Sequence, residues 1–184
     1  MKSSKRYEEY AYVLDFIPHG KSITIRGREG PLVYAIGEEW STLLEVLAMN
    51  GVHFLIGEKI RIAREGREKV ISVLGRIEYD DLTNGAKNEL VNVCEKSIRD
   101  HERKYVNYFN ELQPVTPRRH ALEMIPGIGK TLVKHILEER KKKPFESFED
   151  IQTRVGLRDP AKRIAKRIVA EISGKSGITI FIKK

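Results

Sequence analysis

Apolar and polar positions in the first third of the chain follow the pattern of a small β-domain. Residues Tyr10–Phe16 and Leu32–Ile36 are runs of β-forming residues, and Ser22–Arg26 alternates apolar and polar side chains with a period of two. Glycine and proline separate these runs, as is typical of strands joined by tight turns. Two more strands are predicted over residues 59–63 and 69–79.

A helix is predicted between the third and fourth strands, over residues 38–49. Its apolar residues follow the i, i+3, i+4, i+7 spacing of one helix face; they are Trp40, Leu43, Leu44 and Leu47. Three strands, a helix and two strands within about 70 residues is the element order of an OB-fold, a five-stranded and partly open barrel. An SH3-like barrel and a generic α+β domain are the alternatives for residues 1–82.

A long amphipathic helix is predicted over residues 83–112, with Thr83 as its N-cap. Apolar residues recur in it mostly at three- or four-residue spacing, with charged residues between them. They are Ala86, Leu90, Cys94, Ile98, Tyr105, Phe109 and Leu112. Such a helix serves either as a rigid arm between two lobes or as one side of a dimer interface.

Pro114 and Pro117 mark the clearest linker, because proline does not fit inside a helix. The chain therefore divides into a barrel at 1–82, a connecting helix at 83–113 and a helical domain at 114–184. The fold class expected is α+β, with an N-terminal five-stranded OB-like β-barrel, a long connecting helix and a C-terminal all-α domain.

Charge is distributed unevenly along the 184 residues. The formal net charge is +8, yet residues 1–114 hold 17 basic and 18 acidic residues, whereas residues 115–184 hold 17 basic and 8 acidic ones. A positive excess confined to the C-terminal part favours a polyanionic partner gripped there, against the alternative of a solubilising basic tail. Cys94 is the only cysteine, which excludes a disulfide framework. Without a signal peptide or an apolar run near 18 residues, a cytoplasmic protein without a membrane partner is expected.

The sharpest local pattern is Pro126-Gly-Ile-Gly-Lys130, which lies between two stretches of helical apolar spacing. Gly127 and Gly129 permit positive φ and leave no Cβ in the way of a ligand. We expect the amides of residues 127–130 to point outward at the N-terminus of the next helix, where free donors and the helix dipole favour an anion. The ligand predicted is a phosphate, held without reading its base. The residues expected to contact it are Gly127, Ile128, Gly129, Lys130, Thr131 and Lys134.

Residues 122–136 resemble the helix-hairpin-helix motif of proteins that bind nucleic acids without regard to sequence. The shared pattern is an apolar helix end, Pro-Gly-Ile-Gly, and a second helix with apolar residues at Leu132 and Ile136. Val133 departs from the small residue that is usual in the motif. A P-loop is excluded because its two glycines are separated by four residues. An ordinary helical turn with a glycine cap is the remaining alternative.

A second, less complete hairpin is indicated at residues 155–160. It follows a Pro-Phe-x-Ser-x-x-Asp-Ile segment at 144–151, which resembles the link between paired hairpins, and it keeps one glycine, Gly156. The next helix carries basic residues around an apolar stripe, so these residues either grip a second phosphate or form a solvated face. The candidates are Arg158, Lys162, Arg163, Lys166 and Arg167.

The overall layout resembles two known groups of proteins. An OB-fold followed by paired hairpins is similar to the bacterial Holliday-junction-binding protein, and the whole chain resembles an uncharacterised archaeal family of predicted RNA-binding proteins with this layout. The resemblance implies nucleic-acid binding, with RNA slightly preferred over DNA. OB-folds bind strands through aromatic and basic residues on one face, which makes Tyr12, Arg26 and Tyr34 candidates on the barrel.

No catalytic constellation is found, and neither a cofactor nor a metal site is predicted. A metal-dependent nuclease built on Asp80-Asp81 and a glycosylase built on Asp159 are weaker alternatives. The main hypothesis is a non-catalytic protein that holds single-stranded or structured nucleic acid through backbone phosphates. The alternative is an assembly subunit, as a homodimer or with another protein, that docks through the 83–112 helix or the strand-like tail at 178–182, which needs a sheet edge to pair with.

Overall fold

The computed structural model describes residues 6–183. Its N-terminal part contains five strands: β1 (Tyr10–Lys21), β2 (Glu29–Gly37), β3 (Leu43–Ala48), β4 (Lys59–Arg61) and β5 (Val70–Arg76). They form one curled antiparallel sheet with the order β4-β1-β2-β3-β5. A mixed α+β fold that begins with five strands is therefore confirmed. One helix and one strand predicted in this part of the chain are wrong.

Both faces of this sheet are buried along β3, most of β2 and the first half of β1. Ala11 and Val13 of β1 face the inside of the curl, where they belong to the same apolar cluster as Val46. Tyr12 and Leu14 face the other way, into a larger core that the sheet shares with the helices. A sheet covered on both faces is typically built from continuous apolar runs, and this explains the composition of β1 and β2.

The helix predicted over residues 38–49 is wrong, because residues 43–48 form β3. All six residues of β3 are buried. Leu44 pairs with Ala35 of β2, and Val46 pairs with Val73 of β5. The spacing of the leucines fits a helix face, but pairing with a strand on each side satisfies the backbone and buries both faces of the segment.

The strand predicted over residues 22–26 is also wrong, because this segment is a loop between β1 and β2. Glu45 of β3 is fully buried, and its carboxylate accepts hydrogen bonds from the hydroxyls of Ser22 (2.5 Å) and Thr24 (2.6 Å). The backbone N–H of Ile23 donates to the same carboxylate at 3.0 Å. The alternation of polar and apolar residues therefore reflects hydroxyls that turn toward Glu45, while the isoleucines between them are exposed.

The helix predicted over residues 83–112 is two helices, α1 (Asn84–Asp100) and α2 (Glu102–Glu111), which meet at His101. The backbone of His101 has φ −122° and ψ 39°, which is not helical. Thr83 is the N-cap of α1, as predicted, since its hydroxyl accepts the N–H of Ala86 at 3.0 Å.

The C-terminal part consists of a short hairpin and three helices: β6 (Pro114–Thr116), β7 (Arg119–His120), α3 (Lys130–Lys142), α4 (Phe148–Val155) and α5 (Pro160–Ile172). The segment predicted as a linker therefore forms β6 and the turn of the hairpin. Helix α1 packs on β1 and on α5. One hydrophobic core consequently runs from the sheet to the last helix, with α1 at its centre.

The tail at Gly177–Ile182, predicted as a strand, pairs with no strand within residues 6–183. Instead, the backbone N–H groups of residues 180–182 donate to the carboxylate of Glu171 at 2.8, 3.1 and 3.0 Å. The ring of Phe181 packs edge-on against Tyr108, with centroids 4.7 Å apart. Phe181 thus covers part of α2, and Ile180 and Ile182 pack with it against the main core. In the described part of the chain, no helix is both long and apolar enough to cross a membrane.

Candidate functional site

The first loop, residues 125–129, connects a 3₁₀ turn at Ala121–Met124 to α3. Gly127 has φ +86°, a left-handed conformation that glycine adopts without steric cost. The side chain of Ile128 is buried, and its N–H donates to the carbonyl of Ile125 at 3.1 Å. The expectation that the Ile128 amide points outward is therefore wrong, because the loop closes on this buried side chain.

Unlike the N–H of Ile128, the backbone N–H groups of Gly127, Gly129, Lys130 and Thr131 have no hydrogen-bond partner within residues 6–183. Three of these residues form the N-cap and first turn of α3, where N–H groups have no acceptor inside the helix. A Cβ added at Gly129 would meet no atom within 4 Å. Free donors, the positive end of a 13-residue helix and an open approach are the conditions under which an oxyanion binds.

Polar and positive side chains surround these donors. Lys130, Thr131 and Lys134 are exposed, and neither lysine forms an ion pair with another residue of the described range. The structure therefore brings the three predicted side chains together at the start of α3, with both ammonium groups free for a ligand.

Arg163 of α5 joins the first loop to the second loop, residues 156–159. Its Nη1 donates to the carbonyl of Pro126 at 3.1 Å, and its Nε donates to the carbonyl of Arg158 at 2.6 Å. The guanidinium lies directly beside Gly127, where an added Cβ would be 2.0 Å from Nη1. Arg163, predicted as a phosphate contact, thus also holds the two loops side by side.

The second loop repeats part of the geometry of the first. Gly156 has φ +72° and Leu157 is buried, so they correspond to Gly127 and Ile128. Helix α5 begins with Pro160, which has no N–H, so the second loop offers fewer donors than the first. Of the basic residues predicted to bind phosphate here, Arg158, Lys162 and Lys166 are exposed.

Arg167 is bonded inside the protein, contrary to its prediction as a phosphate contact. Its Nε donates to Glu171 Oε1 at 3.0 Å, and its Nη2 donates to the carbonyl of Ile178 at 2.5 Å. Only 12% of its side chain is exposed. This guanidinium therefore fixes the C-terminal tail and is not free for a ligand.

The two tyrosines predicted to stack on bases lie in the core. Tyr12 is fully buried and Tyr34 is 4% exposed, and the hydroxyl of Tyr12 donates to Asp100 at 2.9 Å. Burial raises the pKa of both phenols, and the Asp100 carboxylate raises that of Tyr12 further. Neither ring can stack on a base, so this part of the prediction is wrong. Arg26 is exposed on the loop between β1 and β2 and remains a candidate.

Hairpin β6–β7 adds two arginines that the sequence analysis did not select, Arg118 and Arg119. Both are exposed, and together with Lys130 they line a groove of about 260 Å³ between the hairpin and α3. The signal for them is the Arg-Arg pair directly after Pro117, at the start of the basic segment that the sequence predicts as helical.

His120 caps the 3₁₀ turn that leads into the first loop. Its Nδ1 accepts the N–H of Leu122 at 3.1 Å, and its own N–H donates to Glu123 Oε2 at 2.8 Å. Burial, together with the nearby charge of Arg140, lowers the pKa of this histidine. The two reciprocal bonds fix the entry to the first loop.

Comparison with known proteins places the whole fold in one family. A family model described as "Protein of unknown function (DUF655)" matches residues 7–183. The chain belongs to the DUF655 family. An uncharacterized protein of Methanocaldococcus jannaschii, MJ0038, is 37% identical over 181 residues, which are 97% of this chain and 82% of that protein. The crystal structure of Af1531 from Archaeoglobus fulgidus has a TM-score of 0.84 and 43% identity and covers 96% of this chain and 100% of that one.

Both DUF655 relatives come from archaea, so the resemblance to an uncharacterised archaeal family is confirmed. In residues 6–183 of this DUF655 chain, no three or more His, Cys, Asp and Glu side chains are grouped so that they could hold a metal ion. Asp81 accepts the N–H of Glu78 at 2.8 Å, and Asp80 is exposed. The carboxylate of Asp81 thus stabilises a 3₁₀ turn, and Asp159 is the N-cap of α5.

Proposed function

We propose that this DUF655 protein binds nucleic acid without catalysis, largely without regard to sequence, through the sugar–phosphate backbone. The observation that carries the proposal is the first loop, whose free N–H groups open onto solvent at the N-terminus of α3. Donors of this kind contact phosphate oxygens and leave the bases unread. The preference for RNA over DNA rests on the family resemblance alone.

Geometry supports a helix-hairpin-helix unit with an incomplete second copy. Gly127 and Gly156 have similar positive φ values, each is followed by a buried apolar residue, and Arg163 fixes one loop beside the other. We assign the main phosphate contact to the first loop, because the second loop lacks the donor that Pro160 replaces. Arg158, Lys162 and Lys166 contact a flanking phosphate of the same strand.

The order of the strands supports an OB-like barrel as a second contact surface. Closing the sheet between β5 and β4 would give the order 1-2-3-5-4 of an OB-fold. Lys69 pairs with Glu58 at 2.6 Å, and Arg67 donates to the carbonyl of Ile62 at 2.9 Å, so side chains already link the segments beside this gap. In OB-folds the loop between the first two strands contacts the ligand; here that loop carries Arg26.

The proposal is tested by titrating dye-labelled single-stranded RNA, duplex DNA and a four-way junction with the protein and with the variant Gly129→Val. Gly129 has φ −97°, which valine adopts without strain, and the new side chain fills open space in front of the donors. Loss of hydrogen bonds to a charged group is worth about 1.5–3 kcal/mol, so we expect affinity to fall by about tenfold or more. Gly177→Val is the matched control, since its Cβ also meets nothing within 4 Å.

Ionic strength provides the second part of the test. Neutralised phosphates release counterions, so affinity for every ligand should fall steeply between about 50 and 200 mM salt. Binding that is independent of salt, or that Gly129→Val and Gly177→Val change equally, contradicts the proposal. Unfolding curves of both variants establish that they are folded.

Exposed apolar residues favour a second candidate function, an assembly subunit. Leu55 is 78% exposed and Ile71 is 50% exposed; Met49 and Ile56 are also exposed. The two docking surfaces that the sequence suggests, the apolar face of the 83–112 segment and the C-terminal tail, pack within the protein itself. Light scattering tests this function: a stable oligomer that Leu55→Asp dissociates supports it, and a monomer in both cases leaves only a different protein as the partner.

A further inference from the structure

Arg163 of α5 is bound to the backbone of two loops and, within residues 6–183, to no carboxylate. Its two side-chain hydrogen bonds go to neutral carbonyl groups, those of Pro126 and Arg158. Its side chain is partly exposed, and its guanidinium lies against Gly127. Arginine commonly uses its fork of donors to bind a carboxylate or a phosphate. Here the fork is used to hold the first and second loops.

The bond to Pro126 orients a donor of the first loop. Pro126 and Gly127 share one peptide group, which is trans. In a planar trans peptide group the C=O and the N–H point in opposite directions. Because Nη1 of Arg163 holds the carbonyl at 3.1 Å, the N–H of Gly127 is aimed away from the guanidinium. This N–H has no partner within residues 6–183, so it is free to meet a ligand from that opposite side.

The positive charge of Arg163 also reaches this N–H through the peptide group. A cation that binds a carbonyl oxygen polarises the peptide, and hydrogen bonds in such a chain strengthen one another. The chain consists of the guanidinium, the carbonyl of Pro126, the N–H of Gly127 and, when ligand is bound, a phosphate oxygen. Arg163 therefore favours an anion at the first loop without contact between the two.

The second loop holds the other side of the guanidinium. Nε of Arg163 donates to the carbonyl of Arg158 at 2.6 Å. The next residue, Asp159, has φ +50° and ψ +57°, a left-handed conformation that costs free energy in L residues and that aspartate tolerates better than most. The carbonyl of Asp159 accepts the N–H of Arg163 at 3.1 Å. The backbone of Asp159 thus sets the position of the Arg158 carbonyl relative to Arg163.

We propose that Arg163 is a positioning residue of the phosphate site, which orients and polarises the N–H of Gly127 and makes the first loop depend on the second loop. This inference rests on the proposed function. It gives the second loop a role as a brace, although that loop offers fewer donors of its own. Arg163 itself touches no ligand, so its effect on binding passes through Gly127.

Arg163→Lys tests the proposal, because lysine keeps the positive charge but lacks the planar group that donates to two carbonyls at once. Fluorescence anisotropy measures the affinity for dye-labelled single-stranded RNA and duplex DNA over a series of salt concentrations. We expect affinity for both to fall by about fivefold or more. The dependence of log affinity on log salt should stay unchanged, because no phosphate contact is lost. Arg64→Lys is the matched control, since Arg64 is exposed between β4 and β5, and it should bind as the wild type does.

Two further measurements show whether Arg163 acts through the first loop. Gly129→Val obstructs that loop, so adding Arg163→Lys to it should weaken binding by less than about twofold more. The amide resonance of Gly127 gives a readout that a merely stabilising role would not move. Its nitrogen and proton chemical shifts should change in Arg163→Lys and stay the same in Arg64→Lys.

Each result decides between the positioning role and the proposed function. If the effects of Arg163→Lys and Gly129→Val multiply, or if the Gly127 resonance does not move, Arg163 does not act through the first loop and the positioning role is wrong. Wild-type affinity in Arg163→Lys also overturns it, while the phosphate grip stands as long as Gly129→Val weakens binding. If the wild-type protein binds neither probe, the proposed function is wrong and the positioning role with it. Urea unfolding curves establish that each variant is folded during the titrations.

Discussion

Nη1 of Arg163 occupies the space beside Gly127 that any larger residue would need for its side chain. A Cβ built on Gly127 would lie 2.0 Å from Nη1 and 2.9 Å from Cζ of Arg163. The φ of +86° at Gly127 adds a second reason for glycine, since L residues rarely adopt it. The loop that presents the free donors is therefore shaped jointly by a glycine and by an arginine from another helix.

We expect Gly127→Ala to lower the free energy of unfolding by about 2 kcal/mol, because left-handed backbone costs an L residue about 1–2 kcal/mol and the contact with Arg163 adds to it. Arg163→Ala removes the contact but not the backbone cost. The double variant should thus lose less free energy of unfolding than the two single variants together, by about 1 kcal/mol. Urea unfolding of the four proteins measures this coupling. Strict additivity would show that the guanidinium moves away freely.

We expect Lys130→Glu to weaken binding of every oligonucleotide, because it replaces a cation at the donor loop with an anion. A lost phosphate contact should also reduce the dependence of log affinity on log salt by about one. Lys175→Glu changes the net charge by the same amount beyond the C-terminal end of α5, whereas the first loop lies near the N-terminal end of that helix. It therefore separates local contact from overall attraction. Equal effects of the two variants would mean that only net charge matters.

The fold could be predicted where local sequence and tertiary packing agree. Thr83 caps α1 by accepting the N–H of Ala86, three residues further along the chain, and its prediction is confirmed. The prediction for residues 43–48 is wrong because their apolar spacing fits a helix. Only pairing with β2 and β5 makes this segment a strand. The strand predicted over residues 22–26 is wrong for a related reason, because the buried Glu45 that binds this loop lies about 20 residues away.

In the candidate site too, features set by neighbouring residues could be predicted, and features set by residues distant in sequence could not. The glycine-rich loop and its lysines are contiguous, so their arrangement was open to prediction from local chemistry. Tyr12 lies on a face of the sheet that the helices cover, and Arg167 donates to the carbonyl of Ile178, 11 residues further along the chain. The local sequence pattern indicates neither of these contacts. Arg118 and Arg119 were missed because only the pairing of β6 with β7 places them beside Lys130 of α3.

We expect Glu171→Gln to destabilise the C-terminal tail. The buried carboxylate of Glu171 accepts three backbone N–H groups of the tail and the Nε of Arg167. Its neutral replacement leaves the guanidinium without its counter-charge, which should cost about 2–4 kcal/mol. Hydrogen exchange at the amides of residues 180–182 should become faster. Glu138→Gln, at an exposed position, is the control, and unchanged exchange in Glu171→Gln would show that the tail is held by Phe181 instead.

Stability should depend on pH through Glu45. Burial of this carboxylate favours its protonated form, but hydrogen bonds from Ser22 and Thr24 and from backbone N–H groups outweigh burial and lower its pKa below the ordinary value of 4.5. A lowered pKa in the folded state means that the unfolded chain binds the proton more readily. The stabilisation is therefore complete above about pH 4.5 and is lost as the pH falls through the lowered pKa of the folded protein.

Urea unfolding between about pH 3 and pH 6 tests this dependence. In the wild-type protein the free energy of unfolding should fall on acidification, with Glu45 contributing up to about 1.4 kcal/mol per pH unit. Glu45→Gln should be less stable at pH 6 and should show a shallower slope, while Glu138→Gln keeps the wild-type slope. If Glu45→Gln and the wild-type protein have parallel pH profiles, the loop at residues 22–26 is not held by an ionised carboxylate.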